Sequence, residues 1–141
     1  MRLPAKIEYA CKAIMELGLH YQLETPVQLN EISVAQQIPK QFLVQLMIRL
    51  KNAGLVKSTR GMAGGYSLTR APAFISLADV FRAIDDSIIT NGGNKKYRLD
   101  SGRLISQIWE DISHEVSRRL EERRFDYLIS KLKKEPVAYS I

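Results

Sequence analysis

The chain has 141 residues, 45% of them hydrophobic and 26% charged, which is enough apolar content to bury a core and too much for a disordered chain. Its net charge is +6, and the excess is uneven: residues 1–70 hold nine Lys and Arg against four Asp and Glu, the rest twelve against eleven. A basic N-terminal half favours a polyanionic partner, although a bland surface can carry as much. A single cysteine, Cys11, excludes an intramolecular disulfide. With no signal-peptide pattern and no apolar run of roughly 20 residues, a cytoplasmic protein with no membrane partner is expected.

Pro4 suits the opening of a first helix, and Ile7, Ala10, Cys11, Ile14, Leu17 and Tyr21 form an apolar stripe to about residue 22. Arg2 and Lys6 lie at its N-terminal end, where free backbone N–H groups also meet anions; they read either as a phosphate clamp or as solvated charges. Cys11, on the apolar side, reads as a small buried hydrophobe. Residues 22–28, with Thr25-Pro26, make a loop or short strand.

Leu29, Ile32, Ala35 and Ile38 recur at helical spacing and predict a second helix. After the Gln36-Gln37-Ile38 turn, Pro39 opens a third, which buries Leu43, Leu46, Met47 and Leu50 and stops at Asn52-Ala53-Gly54. Its other face carries Lys40, Gln41, Gln45, Arg49 and Asn52. Glutamine amides match the N6/N7 edge of adenine, Lys40 suits guanine or a phosphate, and Arg49, further along, suits a phosphate. Phe42 and Val44 are apolar residues partly off the core face; Val44 either packs on a thymine methyl or fills the core's edge.

Leu55-Val56-Lys57-Ser58-Thr59 alternates like a half-buried strand, and Tyr66-Ser67-Leu68-Thr69 returns it. Gly61, Gly64 and Gly65 supply the tip between them, small enough to approach a groove. Arg60, at its base, suits a narrow A·T-rich minor groove. Ser76-Leu77-Ala78-Asp79 caps a short helix to about Ile84 that buries Leu77, Val80, Phe81 and Ile84. Residues 88–103 change character, with Asn91-Gly92-Gly93-Asn94 before Lys95-Lys96-Tyr97-Arg98, and form the longest loop. One long helix over about 101–134 follows. Leu104, Ile105, Ile108, Trp109, Ile112, Val116 and Leu120, then Phe125, Leu128, Ile129 and Leu132, give it an apolar face that the preceding domain is too small to cover. A second copy of the chain, in a two-fold dimer, would cover it.

The expected fold is mainly α with a small β-hairpin: a winged helix-turn-helix domain plus a long C-terminal dimerisation helix. Its divisions are a DNA-binding domain over 1–86, a connecting loop over 87–103, the dimerisation helix over 104–135, and a tail over 136–141. Met1-Arg2-Leu3 with Tyr9-Ala10, Leu29-Asn30-Glu31-Ile32, Phe42-Leu43-Val44-Gln45-Leu46, Leu50-Lys51-Asn52-Ala53-Gly54-Leu55-Val56, Arg60-Gly61 and Gly64-Gly65-Tyr66 carry a resemblance. In their order and spacing the chain resembles the IscR/NsrR/CymR (Rrf-two) family of bacterial winged-helix regulators. That resemblance implies a homodimeric transcriptional regulator, most often a repressor, on an inverted-repeat operator. It carries DNA contacts over to Arg2, Lys6, Gln41, Gln45 and Arg60.

Two departures stand out. Relatives often have an acidic residue where this chain has Val44. Sensing members also hold an iron–sulfur cluster with three cysteines in the loop before the long helix, and residues 88–103 contain none. Glu8 falls near a position where some relatives supply a carboxylate ligand, but such clusters depend on cysteine thiolates. The expectation is therefore no cofactor and no metal, with a small-molecule effector, a metabolic enzyme or nothing at all as the input. The competing reading is a winged-helix interaction module whose main partner is another protein. No nucleophile–base pair or phosphate loop points to an enzyme, and His20 and His114 are isolated in the sequence.

Overall fold

The computed structural model describes residues 2–89, 96 and 98–134; the Asn91-Gly92-Gly93-Asn94 stretch and the 136–141 tail lie outside them. Helix α1 spans Ala5–Leu19 and packs Ile7, Ala10, Ala13, Ile14 and Leu17 into the core. It stops three residues short of the sequence expectation, because a 3-10 turn at Tyr21–Leu23 leads to Glu24 in the left-handed region. Pro4 and Pro39 are extended cap residues rather than first helical residues, which suits their fixed φ equally well.

Helix α2 (Leu29–Gln36) buries only Ile32 fully, and Ala35 of its expected stripe is exposed. Helix α3 (Lys40–Asn52) buries Leu43, Leu46, Met47 and Leu50. Its end is a Schellman motif: Gly54, at φ 78°, donates to the Lys51 carbonyl, and Leu55 donates to the Leu50 carbonyl. Leu55 and Leu50 both enter the core, so the motif that ends the helix also aims the chain into the hairpin.

Strands β1 (Val56–Thr59) and β2 (Gly65–Leu68) pair antiparallel, with Val56 opposite Leu68 and Thr59 opposite Gly65. Val27 and Tyr66 exchange two backbone hydrogen bonds of 2.8 Å, adding a third edge to the hairpin. The expected alternation along β1 is absent: Val56 is buried and Lys57, Ser58 and Thr59 are all exposed. Beyond Val56, β1 is the outer edge of the hairpin, while β2 stays half-buried between it and Val27, with Tyr66 packed against the core. Helix α4 (Leu77–Ile84) begins with the predicted capping box, in which Ser76 Oγ accepts from Asp79 N–H and the Asp79 carboxylate accepts from Ser76 N–H.

The C-terminal region departs from the single helix expected over residues 101–134. Helix α5 runs Asp100–Glu122, the backbone turns extended at Arg123, and helix α6 runs Phe125–Lys134. The apolar stripe explains the break. It advances by four residues from Ile108 through Ile112, Val116 and Leu120, but the next position is Arg124 and the following apolar residue is Phe125. One straight helix cannot place Leu120 and Phe125 on one face. The structure resolves the slip by pairing backbones: Leu77 N–H donates to Arg123 O, and Phe125 N–H donates to Ile75 O, both at 2.9 Å. Phe125 and Ile129 then enter the domain core, Ile129 against Gly18 of α1, where a Cβ would collide with it.

Because Phe125 is fully buried, Phe125→Ala should destabilise the domain by about 3–5 kcal/mol. Urea unfolding at one protomer concentration measures this, and a loss below about 1 kcal/mol would mean that α6 is not part of the core.

Candidate nucleic-acid interface

The turn between α2 and α3 sets the angle at which α3 is presented. Gln37 adopts the left-handed region at φ 53°, Ile38 N–H donates to Ser33 O, and Ser33 Oγ donates to Ile38 O at 2.6 Å. With four large side chains of α3 buried, the opposite face is fixed. Lys40, Gln41, Val44, Gln45, Ile48, Arg49 and Asn52 are exposed. Lys40, Gln41 and Gln45 make no hydrogen bond or ion pair with any described residue, so their polar ends face only solvent. Phe42 leans on the Tyr9 ring of α1, with centroids 6.5 Å apart. Val44 is 37% exposed, beside the core rather than in it.

Arg49 and Lys6 are placed differently from the sequence expectation of free cations. Arg49 Nη1 donates to the Ile84 carbonyl at 2.8 Å, satisfying an acceptor left over at the C-terminal end of α4. Lys6 Nζ lies 3.7 Å from the Asp85 carboxylate, one residue further on. Hydrogen bonds from Ser87 hold the Asp85 carboxyl below its usual range, with the Lys6 charge contributing less. The start of α1, the last turn of α3 and the end of α4 therefore meet at one junction, and Asp85 is a member that the sequence reading missed. Arg2, four residues before Lys6, is exposed and has no described partner.

The hairpin is tied to α3 and to the cap of α2. Lys51 Nζ donates to Ser58 Oγ at 2.8 Å, and Gln28 Nε2 donates to Met62 O at 3.3 Å. Its tip requires the predicted glycines. Gly61 sits at φ 106°; a Cβ on Gly64 would collide with the Thr59 carbonyl; Gly65 sits at φ 151°, where a Cβ would lie 2.5 Å from Val27 O. Arg60 is exposed with no described partner.

No residue of α5 is buried within this chain. Leu104, Ile105, Ile108, Trp109 and Ile112 are exposed, Ile105 and Trp109 by 66% and 67%, while Val116 and Leu120 are half-buried near the domain. The described part of α5 is held to the domain by Arg82 Nη2, 2.6 Å from Glu121. No helix among the described residues is long and apolar enough to cross a membrane.

A family model described as Rrf2, iron-dependent transcriptional regulator, matches residues 3–131. The HTH-type transcriptional regulator IscR of Xenorhabdus nematophila is 39% identical over 119 residues, covering 83% of this chain and 72% of the relative. IscR of Vibrio cholerae is 38% identical over 119 residues, 83% of this chain and 68% of the relative. Among solved structures, IscR of T. potens aligns with a TM-score of 0.77 at 27% identity, over 99% of this chain and 95% of that one. CymR, the global cysteine regulator of B. subtilis, aligns at 0.76 and 27%, over 93% and 98%.

The iron dependence in that description does not match the donors this chain offers an iron–sulfur cluster. Its one thiol, Cys11, is half-buried on α1, desolvation followed by the Glu8 charge pushes it up to about 12, and a single cysteine falls short of the several thiolates that hold such a cluster. Glu8 itself pairs with Lys12 at 3.8 Å. Among the described residues no three His, Cys, Asp or Glu side chains converge.

At neutral pH Cys11 should react with a disulfide reagent far more slowly in the folded protein than in denaturant. The rate should climb only as pH rises toward 12, and rapid labelling at pH 7 would contradict the burial. Arg49→Ala should lower stability by about 1–2 kcal/mol through the lost bond to Ile84 O, whereas Gln41→Ala should change it by less than about 0.5. Paired urea titrations distinguish the two.

Proposed function

The chain belongs to the Rrf2 family of transcriptional regulators, and from that premise we propose that it represses transcription by binding an inverted-repeat operator as a homodimer. The observation that carries the reading is the outward face of α3. A helix anchored by buried Leu43, Leu46, Met47 and Leu50 fixes the register in which Lys40, Gln41 and Gln45 are exposed, without intramolecular partners. Side chains so placed are available to base edges, and the amides suit adenine. Arg60, beside a glycine tip that admits close approach, reaches the minor groove on the flank. Arg2 and Lys6 hold the phosphate backbone, Lys6 exchanging the Asp85 carboxylate for a phosphate. Arg49 braces α3 against α4 and offers its remaining N–H groups to the same strand.

The dimer is supported by α5, which exposes Leu104, Ile105, Ile108, Trp109 and Ile112 along one side. An apolar stripe of this length is stable in water only when covered, and a second copy covers it with its own. The input acts through something other than an iron–sulfur cluster, because this chain lacks the thiolates. A small molecule or an enzyme partner serves instead, the similar CymR structure being that of the global cysteine regulator of B. subtilis.

Ile108→Glu with Ile112→Glu should yield monomers or insoluble protein; a soluble dimer of full affinity would place the interface elsewhere. Titration of operator and scrambled duplexes over several salt concentrations tests the DNA contacts. Gln45→Ala should cost about 1–3 kcal/mol on the operator and relax one base pair per half-site. Lys6→Ala should weaken both duplexes alike and reduce the salt slope by about one unit per half-site. Arg60→Ala should lose most where the wing lies over A·T pairs. Equal losses by every mutant on both duplexes would remove the glutamines as readers.

A further inference from the structure

The outward face of α3 holds two aliphatic side chains as well as two amides. Gln41, Val44, Gln45 and Ile48 stand at i, i+3, i+4 and i+7, the spacing by which a helix presents base-reading residues along a major groove. Val44 is 37% exposed and Ile48 47%, and neither belongs to the core cluster. Ile48 is the more informative. It lies one or two residues from Leu46, Met47 and Leu50, all buried, yet by helical rotation it points almost directly away from them. A β-branched aliphatic side chain opposite the core gains nothing from folding, and a helix surface there ordinarily carries a polar residue. Phe42, also exposed, differs because it rests on Tyr9.

Resting on the DNA-binding reading above, we infer that Val44 and Ile48 read the C5-methyl groups of thymines, so that each half-site is an A·T-rich major-groove element. The chemistry of the face supports one class of base pair. Thymine alone presents an apolar group in the major groove, and adenine, its partner, presents the N6/N7 pair that a glutamine amide matches. Amide and aliphatic side chains alternate along the face, so adjacent A·T pairs are read on both members. The face carries no carboxylate, the acceptor that suits cytosine N4, since Gln41, Val44, Gln45 and Ile48 include no acidic residue, and an amide matches adenine with both its donor and its acceptor. Lys40, at the first position of the helix, is left for a flanking guanine or a phosphate.

The test uses the intact protein and the tightest duplex it selects from a random-sequence pool. Thymines in each half-site are replaced one at a time by deoxyuridine, which removes the C5-methyl and leaves every hydrogen-bonding group. At two thymines per half-site, affinity should fall about four-fold, the value of one buried methyl. Val44→Ala and Ile48→Ala, both at exposed positions, should bind the thymine duplex more weakly, and each should become indifferent to deoxyuridine at one of the two positions. Far-ultraviolet circular dichroism confirms that the variants are folded. Tight, salt-dependent binding to the selected duplex with no deoxyuridine effect would overturn the methyl readout and leave the regulator reading standing. A selected half-site rich in G·C would do the same. Failure to prefer any selected duplex over a scrambled one would remove both.

Discussion

The burial of Leu43, Leu46, Met47 and Leu50 is the constraint on which the other elements depend. These side chains fill the space between α1 and α4, and their packing leaves α3 one orientation about its own axis. A rotation of even one residue's angle would expose a leucine and bury an amide, at a cost of several kcal/mol. The face offered to a partner is therefore a consequence of the face given to the core. The Gln37 turn and the Schellman motif at Gly54 fix the two ends of the same helix.

The junction at the end of α4 joins this constraint to the rest of the molecule. Arg49 of α3 and Lys6 of α1 both reach the Ile84–Asp85 peptide region, just where the chain leaves the domain toward residues 88–103. A displacement of that end of α4 bears directly on a residue of α3 through a charged hydrogen bond. The C-terminal end of α5 is tied to the same helix from its outer side by the Arg82–Glu121 pair. Helix α4 thus touches both α3, the element proposed for DNA, and α5, the element that lacks a cover in the single chain.

Helices α5 and α6 show two fates of apolar residues in one segment. Phe125 and Ile129 complete the domain's own core, sealed by the backbone pairing of Ile75–Leu77 with Arg123–Phe125. The residues from Leu104 to Ile112 find nothing in the chain to cover them. The break at Arg123 separates the two roles. Without it the same stripe would carry Phe125 out into solvent and leave α1 with an open groove beside Gly18.

The sequence by itself determined every element whose signal is local. The stripes of α1 and α3, the capping box at Ser76, the glycine stop at Gly54 and the glycine tip of the hairpin all lie within a few residues of the structure they specify, so pattern and propensity suffice. The exposed amides of α3 were legible for the same reason: once four positions face the core, the others cannot. Tertiary structure decided what depends on a distant partner. Arg49 and Lys6 lost their freedom to Ile84 and Asp85, 35 and 79 positions along the chain, where no local pattern points. Lys57, Ser58 and Thr59 share exposure because β1 is the outer edge strand, with β2 and Val27 on its inner side. The phase slip between Leu120 and Phe125 was present in the sequence, yet its outcome rested on Ile75 and Leu77 offering backbone groups that a continuous helix would have left unpaired. Hydrogen bonds across such separations are chosen by packing, because only the folded core brings their ends together.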